Sequence, residues 1–168
     1  MTDQGYLCGR CGDRHEGLPF SYGTQAPVYW QDAHDGDEKS VLEQEICIIE
    51  GRNYFVQARI ILPVHDADED FVWGVWVSLS RDNFKRTLDS WDTPGRESQP
   101  SSFGWLSTDL PVYPSTINLK CDVHPEPVGT RPHIELEPTD HPLAVEQRAG
   151  ITVARVQEIA EQLLHPRV

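Results

Sequence analysis

The chain has 168 residues, with 14 Lys and Arg against 27 Asp and Glu, a formal charge of −13 and 38% hydrophobic residues. That length suits one domain that buries roughly 70% of its unfolded surface, so no disulfide scaffold is required, and the composition excludes collagen, a coiled coil and an extracellular cystine framework. The excess negative charge repels phosphate backbones, which argues against generic DNA or RNA binding and favours a basic protein partner.

The N-terminus, MTDQGYLCGRCGDRHEG, carries neither the basic stretch nor the apolar stretch of a secretory signal. The longest apolar runs are strand length, far below the ~20 residues of a membrane-spanning helix. The expected compartment is therefore the cytoplasm, without a membrane partner, where thiols stay reduced. Residues 1–24, rich in Gly and polar side chains, are predicted to form an N-terminal knuckle around a CxxC motif. Gln31 to Lys39 reads as a solvated loop. Glu45 to Ile49 and Tyr54 to Leu62 flank the turn formers Glu50 to Asn53, which predicts a hairpin. Phe71 to Leu79 alternates with period two and is apolar on both faces, the pattern of a central strand. Gly74 in its middle would let an aromatic side chain such as Trp76 of a neighbouring layer, or a ligand, lie close to the backbone.

Ser80 is a predicted helix N-cap, followed by Phe84, Leu88 and Trp91 on one stripe up to Pro94-Gly95. Extended structure is predicted to resume at Phe103 to Leu106, Thr116 to Val123 and His133 to Leu136. Thr139-Asp140 and Thr152 each precede a helical segment, the second with Val153, Val156, Ile159, Ala160, Leu163 and Leu164 at helical spacing. The expected fold is a single α+β domain over 1–168: the knuckle at 1–24, a largely antiparallel sheet with a short central helix at 40–138, and C-terminal helices at 139–168.

The strongest chemical signal is CGRCGDRH. Cys8 and Cys11 lie two residues apart, Gly12 permits the positive φ of a knuckle turn, and His15 follows four positions beyond the second thiol. Zinc is the natural ion for such a set, with a redox pair and two unliganded thiols as the other readings; a single CxxC specifies only half of a closed four-ligand site. His15 is the best third ligand, or else a hydrogen-bonding loop histidine. Cys121 and His124 form a second C-x2-H pair, yet Ile117, Leu119, Cys121 and Val123 alternate onto one strand face, so His124 points away unless the strand breaks at Pro125. Cys47 is expected in the core.

The acidic runs His34 to Glu38 and His65 to Asp70 read as solvated connections that discourage edge pairing. His133, Glu135, Glu137 and His141 are capable of acid/base work, but their spacing does not bring them together. The two C-terminal helices superficially match a helix-turn-helix, although Leu143 to Leu164 holds two arginines against three glutamates, a poor surface for phosphates. Trp73, Trp76, Trp91, Trp105, Phe103 and Tyr113 divide between core packing and a ligand groove.

Taken together, CGRCGDRHEGLP at 8–19, FVWGVWVSLS at 71–80, FGWL at 103–106, YPST at 113–116, RPHIELEPTDHPLA at 131–144 and GIT at 150–152 resemble a family of bacterial proteins known as domain of unknown function family 2199. The resemblance implies a single bacterial domain in which Cys8, Cys11 and His15 belong to one motif, and it brings no activity with it. Two functions follow from the residues. One is an interaction module whose knuckle binds zinc structurally and whose acidic surface engages a basic protein. The other is a small metal-dependent enzyme, with Cys8, Cys11 and His15 holding an ion whose fourth position stays open.

Overall fold

The computed structural model describes residues 5–165. The first four residues, part of the N-terminal reading, and 166–168, part of the predicted C-terminal helical region, lie outside the described residues. The elements run β1 (Tyr6–Leu7), β2 (Arg14–His15), β3 (Ser21–Tyr22), β4 (Val41–Leu42), β5 (Ile46–Ile49), β6 (Asn53–Leu62), β7 (Phe71–Leu79), α1 (Arg81–Asp89), β8 (Ser102–Leu106), β9 (Lys120–His124), β10 (His133–Leu136), α2 (Pro142–Ala149) and α3 (Val153–Leu164).

The β5–β6 hairpin turns through Glu50 and Gly51, both left-handed at φ 56° and 67°. Arg52 N–H donates to Ile49 O at 3.2 Å across this turn. Two successive positive φ values give the twist that a right-handed strand pair requires. The non-glycine residue is held there because its N–H donates to Ser40 Oγ at 2.9 Å.

From β6 the chain meanders through β7, β8, β9 and β10, each antiparallel to the one before, and β10 then pairs with β6 at His133↔Arg59. An odd number of alternating strands that closes on itself must put its first and last strands parallel, and this pairing is parallel. The sheet thus contains a closed barrel of five strands; the sequence predicted a largely antiparallel sheet and carried no sign of the closure. β5 and β10 share one edge of β6, at opposite ends of that strand, while β3 joins β7 in parallel at Ser21↔Val72.

Alternation fills the barrel. Val56, Ala58, Ile60 and Leu62 of β6 lie opposite Val77, Val75, Trp73 and Phe71 of β7, and all are buried. Cys121, Val123, Ile134 and Leu136 complete the wall. At one end Phe84 of α1 packs on Tyr54, with ring centroids 5.0 Å apart. At the other, Leu143 of α2 and Val156 and Ile159 of α3 join the same core. The outer face of β7 is apolar for its own reason: Trp76 packs with Cys47, Ile49 and Phe55 beneath the early loops. At Gly74 the close neighbour is not Trp76 but the β3 segment, since a Cβ there would sit 3.1 Å from Gly23 Cα.

Ser80 caps α1, accepting from Asn83 N–H, and Thr152 caps α3, accepting from Arg155 N–H. The cap of α2 is His141, whose Nδ1 accepts from Leu143 N–H at 3.1 Å, rather than Thr139 or Asp140. The predicted strand from Thr116 begins only at Lys120. Thr116 Oγ1 is engaged by Leu110 N–H and Thr108 O, and Asn118 turns the chain at φ 66°. No described helix is long and apolar enough to cross a membrane.

Candidate metal centre

The CxxC segment joins β1 to β2. Those two strands pair antiparallel, Tyr6 opposite His15 and Leu7 opposite Arg14. The turn between them is closed by Cys8 N–H donating to Asp13 O at 2.9 Å and Gly12 N–H donating to Cys8 O at 3.0 Å, with Gly12 at φ 79°. A strand therefore precedes Cys8, although the sequence showed no strand pattern before residue 40; with two residues it has no periodicity to detect. The thiols stand in a turn and not at a helix N-terminus, which removes the setting of a thioredoxin-like pair.

Two effects oppose each other at Cys8. Burial acts to raise its pKa, but amide N–H groups of Cys11 and Arg10 aimed at the sulfur, together with the neighbouring Cys11 thiol, outweigh it and hold Cys8 below the usual thiol value. The Arg10 N–H lies 3.4 Å from Sγ. Cys11 moves the other way: the Asp13 amide lowers its pKa, and burial plus the adjacent Cys8 more than reverse this.

His15 meets the second thiol, its Nε2 lying 3.3 Å from Cys11 Sγ. The fourth group comes from the far end of the chain. The hairpin packs on α3, where Tyr6 and Cys8 bury against Ala160. Gln157 Nε2 donates to Leu7 O at 2.9 Å, and Gly9 N–H donates to Glu161 Oε1 at 2.6 Å. Gln157 Nε2 also donates to Glu161 Oε1 at 3.0 Å, and this bond first, then the Gly9 amide, hold the Glu161 carboxyl below the usual carboxylate range. The docking delivers His165, the C-cap of α3, to the knuckle: its carbonyl accepts from the Arg10 guanidinium and its ring centroid stands 5.8 Å from that of His15. Cys8, Cys11, His15 and His165 each offer one donor atom, and the four lie within 4.8 Å of one another. Nε2 of His165 is buried without a hydrogen-bond partner.

Cys121 and His124 are not part of this group. Cys121 faces the barrel interior, where Sγ donates to Gly104 O at 3.5 Å and burial pushes its pKa up to about 12. His124 points to the outer face, as alternation on one strand requires, and stacks on His133. Cys47 is fully buried, its pKa pushed up to about 11 by burial. Of the other acid/base residues, His133 and Glu135 come together with His124, whereas His141 caps α2 and Glu137 is exposed. The acidic runs serve as connections: Asp66 Oδ1 accepts from Val153 N–H at 2.8 Å and Asp37 accepts from Ser40 Oγ at 2.6 Å.

Trp73, Trp76 and Tyr113 are core residues, with Trp73 Nε1 donating to Tyr113 OH at 3.1 Å. Trp91 helps line a cavity of about 560 Å³ at the α1 end of the barrel, with Arg59, Gln99, Glu126 and Arg131. Phe103 and Trp105 stand on the outer face, 48% and 40% exposed.

His165 is the donor that sequence reasoning missed. The only local signal is a histidine directly after the last apolar turn of a helix, and nothing in the sequence states that this helix end meets the knuckle. One family model, described as "Uncharacterized protein conserved in bacteria (DUF2199)", matches residues 7–151. The matched span includes Cys8, Cys11 and His15 and stops short of His165. No curated protein and no solved structure matches the chain.

Proposed function

The chain belongs to the DUF2199 family of bacterial proteins, and we propose that its knuckle is a structural zinc centre, with Cys8, Cys11, His15 and His165 as ligands, that clips the N-terminal hairpin to the end of α3. His165 carries this reading. Its Nε2 is a buried nitrogen without a partner, its ring offers a nitrogen within 4.8 Å of three soft or borderline donors, and an unsatisfied buried polar atom costs about 1–3 kcal/mol unless something binds it. Two thiolates and two imidazoles are a zinc set. With bonds of ~2.3 Å to sulfur and ~2.0–2.1 Å to nitrogen, a tetrahedron separates its donors by roughly 3.3–3.8 Å, so four atoms already within 4.8 Å need only small side-chain movements. Four protein donors close the shell. A catalytic zinc keeps one position for water, and His165 takes the position that the enzyme alternative needs.

Elemental analysis of untagged protein purified without added metal, with thiol titration before and after chelation, tests the centre. The expected result is about one zinc per chain and two thiols protected until chelation. Absence of metal together with freely titrating Cys8 and Cys11 would overturn it. His165→Gln should lower zinc affinity; unchanged affinity would return the site to three donors and revive the enzyme reading.

For the partner, the favoured class remains a basic protein. The formal charge is −13, and the exposed pair Phe103 and Trp105, packed edge to face at 5.2 Å, has Asp122 as a cross-strand neighbour and the Glu135 carboxylate beyond it. Aromatic faces beside carboxylates suit Arg and Lys side chains. An arginine-rich peptide should perturb Trp105 fluorescence, with an affinity that falls as salt rises and is lost in Trp105→Ala. No response at low salt would remove this reading.

A further inference from the structure

We propose that His124, His133 and Glu135 form a second metal site, on the outer face of the barrel, for a divalent first-row transition ion held by two imidazoles and one carboxylate, with water completing its shell. The site follows from strand register. His124 on β9 and His133 on β10 are directly opposed, and Glu135 follows two residues later on the same face. The rings stack with centroids 4.9 Å apart and planes 7° from parallel, so they stand side by side, and a rotation of one ring out of the stack brings both in-plane lone pairs onto one ion. Glu135 leans across the strand pair, its Oε2 3.7 Å from His124 Nε2. One donor atom from each of the three lies within 4.8 Å of the others.

Two details separate this cluster from an ordinary polar patch. His133 Nδ1 contacts Glu126 Oε1 at 2.5 Å, which commits Nδ1 to the proton and leaves Nε2 as the binding nitrogen. Metal-ligating histidines are held in this way, the far nitrogen donating to a carboxylate. Meanwhile His124 Nε2 is buried without a hydrogen-bond partner, because 3.7 Å to Glu135 exceeds bonding distance.

The surrounding field also favours a cation. Glu135 lies directly across from Asp122, a like-charged pair that is destabilising without a counter-ion. Glu126 adds a third carboxylate; the positive groups nearby include Arg59, 3.7 Å from Glu126 Oε1, Arg96, whose Nε donates to Glu126 O at 2.7 Å, and Lys120, which sits over the Trp105 ring. Imidazole nitrogen selects zinc, nickel, cobalt or iron over calcium and magnesium. Unlike the knuckle, this set supplies three protein donors and leaves room for exchangeable ligands.

The test is zinc titration of the full chain, beyond whatever ion it carries as purified, followed by calorimetry and by NMR of the imidazole rings. One additional zinc per chain is expected, shifting the His124 and His133 ring signals together and sparing those of His15 and His165. Glu135→Gln, at an exposed position, should keep the melting temperature of the metal-free state and weaken this binding at least ~10-fold; Glu126→Gln, at a positioning residue, should weaken it roughly 10–100-fold. No additional zinc, or zinc that leaves both rings unmoved, would overturn the proposal. So would full affinity in His133→Asn.

Discussion

The barrel and the knuckle solve the same problem, holding a chain in one conformation, by opposite means. The barrel closes its own hydrogen-bond ladder and fills its interior with Val56, Ile60, Trp73, Val75, Leu106 and Ile134, all buried. Removing such side chains from water supplies about 1.5–3 kcal/mol each. Among the described residues the knuckle's apolar cluster is Tyr6, Cys8 and Ala160, with Leu18 beside them, and its two strands are two residues long. A region with so little apolar burial depends on polar docking and, in the proposed function, on an ion. The barrel should therefore respond to changes in volume and the knuckle to changes in ligands.

The largest effect is expected at Trp73. Its side chain lies in the core and its Nε1 donates to Tyr113 OH, so Trp73→Ala leaves a cavity and a phenol that keeps only its bond to Glu146 Oε2. A loss of about 3–5 kcal/mol in denaturant unfolding is expected, while Cys8 and Cys11 keep their metal content below the transition. Gly104→Ala comes next. A Cβ at this position would lie 2.9 Å from Ser78 O and closer still to the Val77 side chain, where β8 crosses β7. Overpacking of this kind costs about 1–3 kcal/mol, and a neutral result would mean that the strands can separate locally.

Cys8→Ser, or chelation of the native chain, should act on the other region. Amide exchange would rise at Leu7, Cys8 and the end of α3, with little change at Ile60 or Val75. Loss of a direct ligand should reduce zinc affinity by more than the roughly 10–100-fold that an outer partner is worth. Collapse of protection throughout β6 and β7 would instead show that the two regions fold as one cooperative unit.

The same contrast governs what the sequence revealed. Phe71–Leu79 emerges with the bounds that its period-two pattern predicts, and His133–Leu136 likewise, because alternation is a local property of the chain. Closure of the barrel was not legible: it depends on β10 finding the part of β6 that β5 leaves free, a contact between strands more than seventy residues apart, from Arg59 to His133. The apolar alternation of Ile117 and Leu119 suggested extended chain, and side-chain hydrogen bonds at Thr116 turned it instead. At the candidate metal centre, Cys8, Cys11 and His15 were legible because one short turn presents them. His165 was not, since its approach is made by tertiary docking, with its carbonyl held by Arg10, 155 residues earlier. The C-x2-H spacing at Cys121 pointed to a partnership that strand alternation forbids, while the true neighbour of His124 lay across the ladder at His133.

The smallest effect concerns the four thiols, two in the knuckle, one inside the barrel and one in the layer packed on its outer face. Burial pushes Cys121 up to about 12 and Cys47 up to about 11 from an ordinary value of 9.0. Below pH 9 both thiols are neutral whether the chain is folded or not, and their contribution to stability is fully present. As pH rises further the unfolded chain ionises first, so stability falls from about pH 9 until the folded thiols also ionise near 11 and 12. Cys121→Val should flatten that decline without shifting the midpoint at pH 7 by more than the modest cost of a near-isosteric core exchange. In the metal-free protein at pH 8, a thiol reagent should modify the knuckle under native conditions, reach Cys121 only through unfolding of the barrel, and reach Cys47 only when β5 and the early loops lift off the barrel's outer face. Equal rates at all four positions would show that the barrel opens as readily as the knuckle, and the division of labour between packed core and ion-held turn would fail.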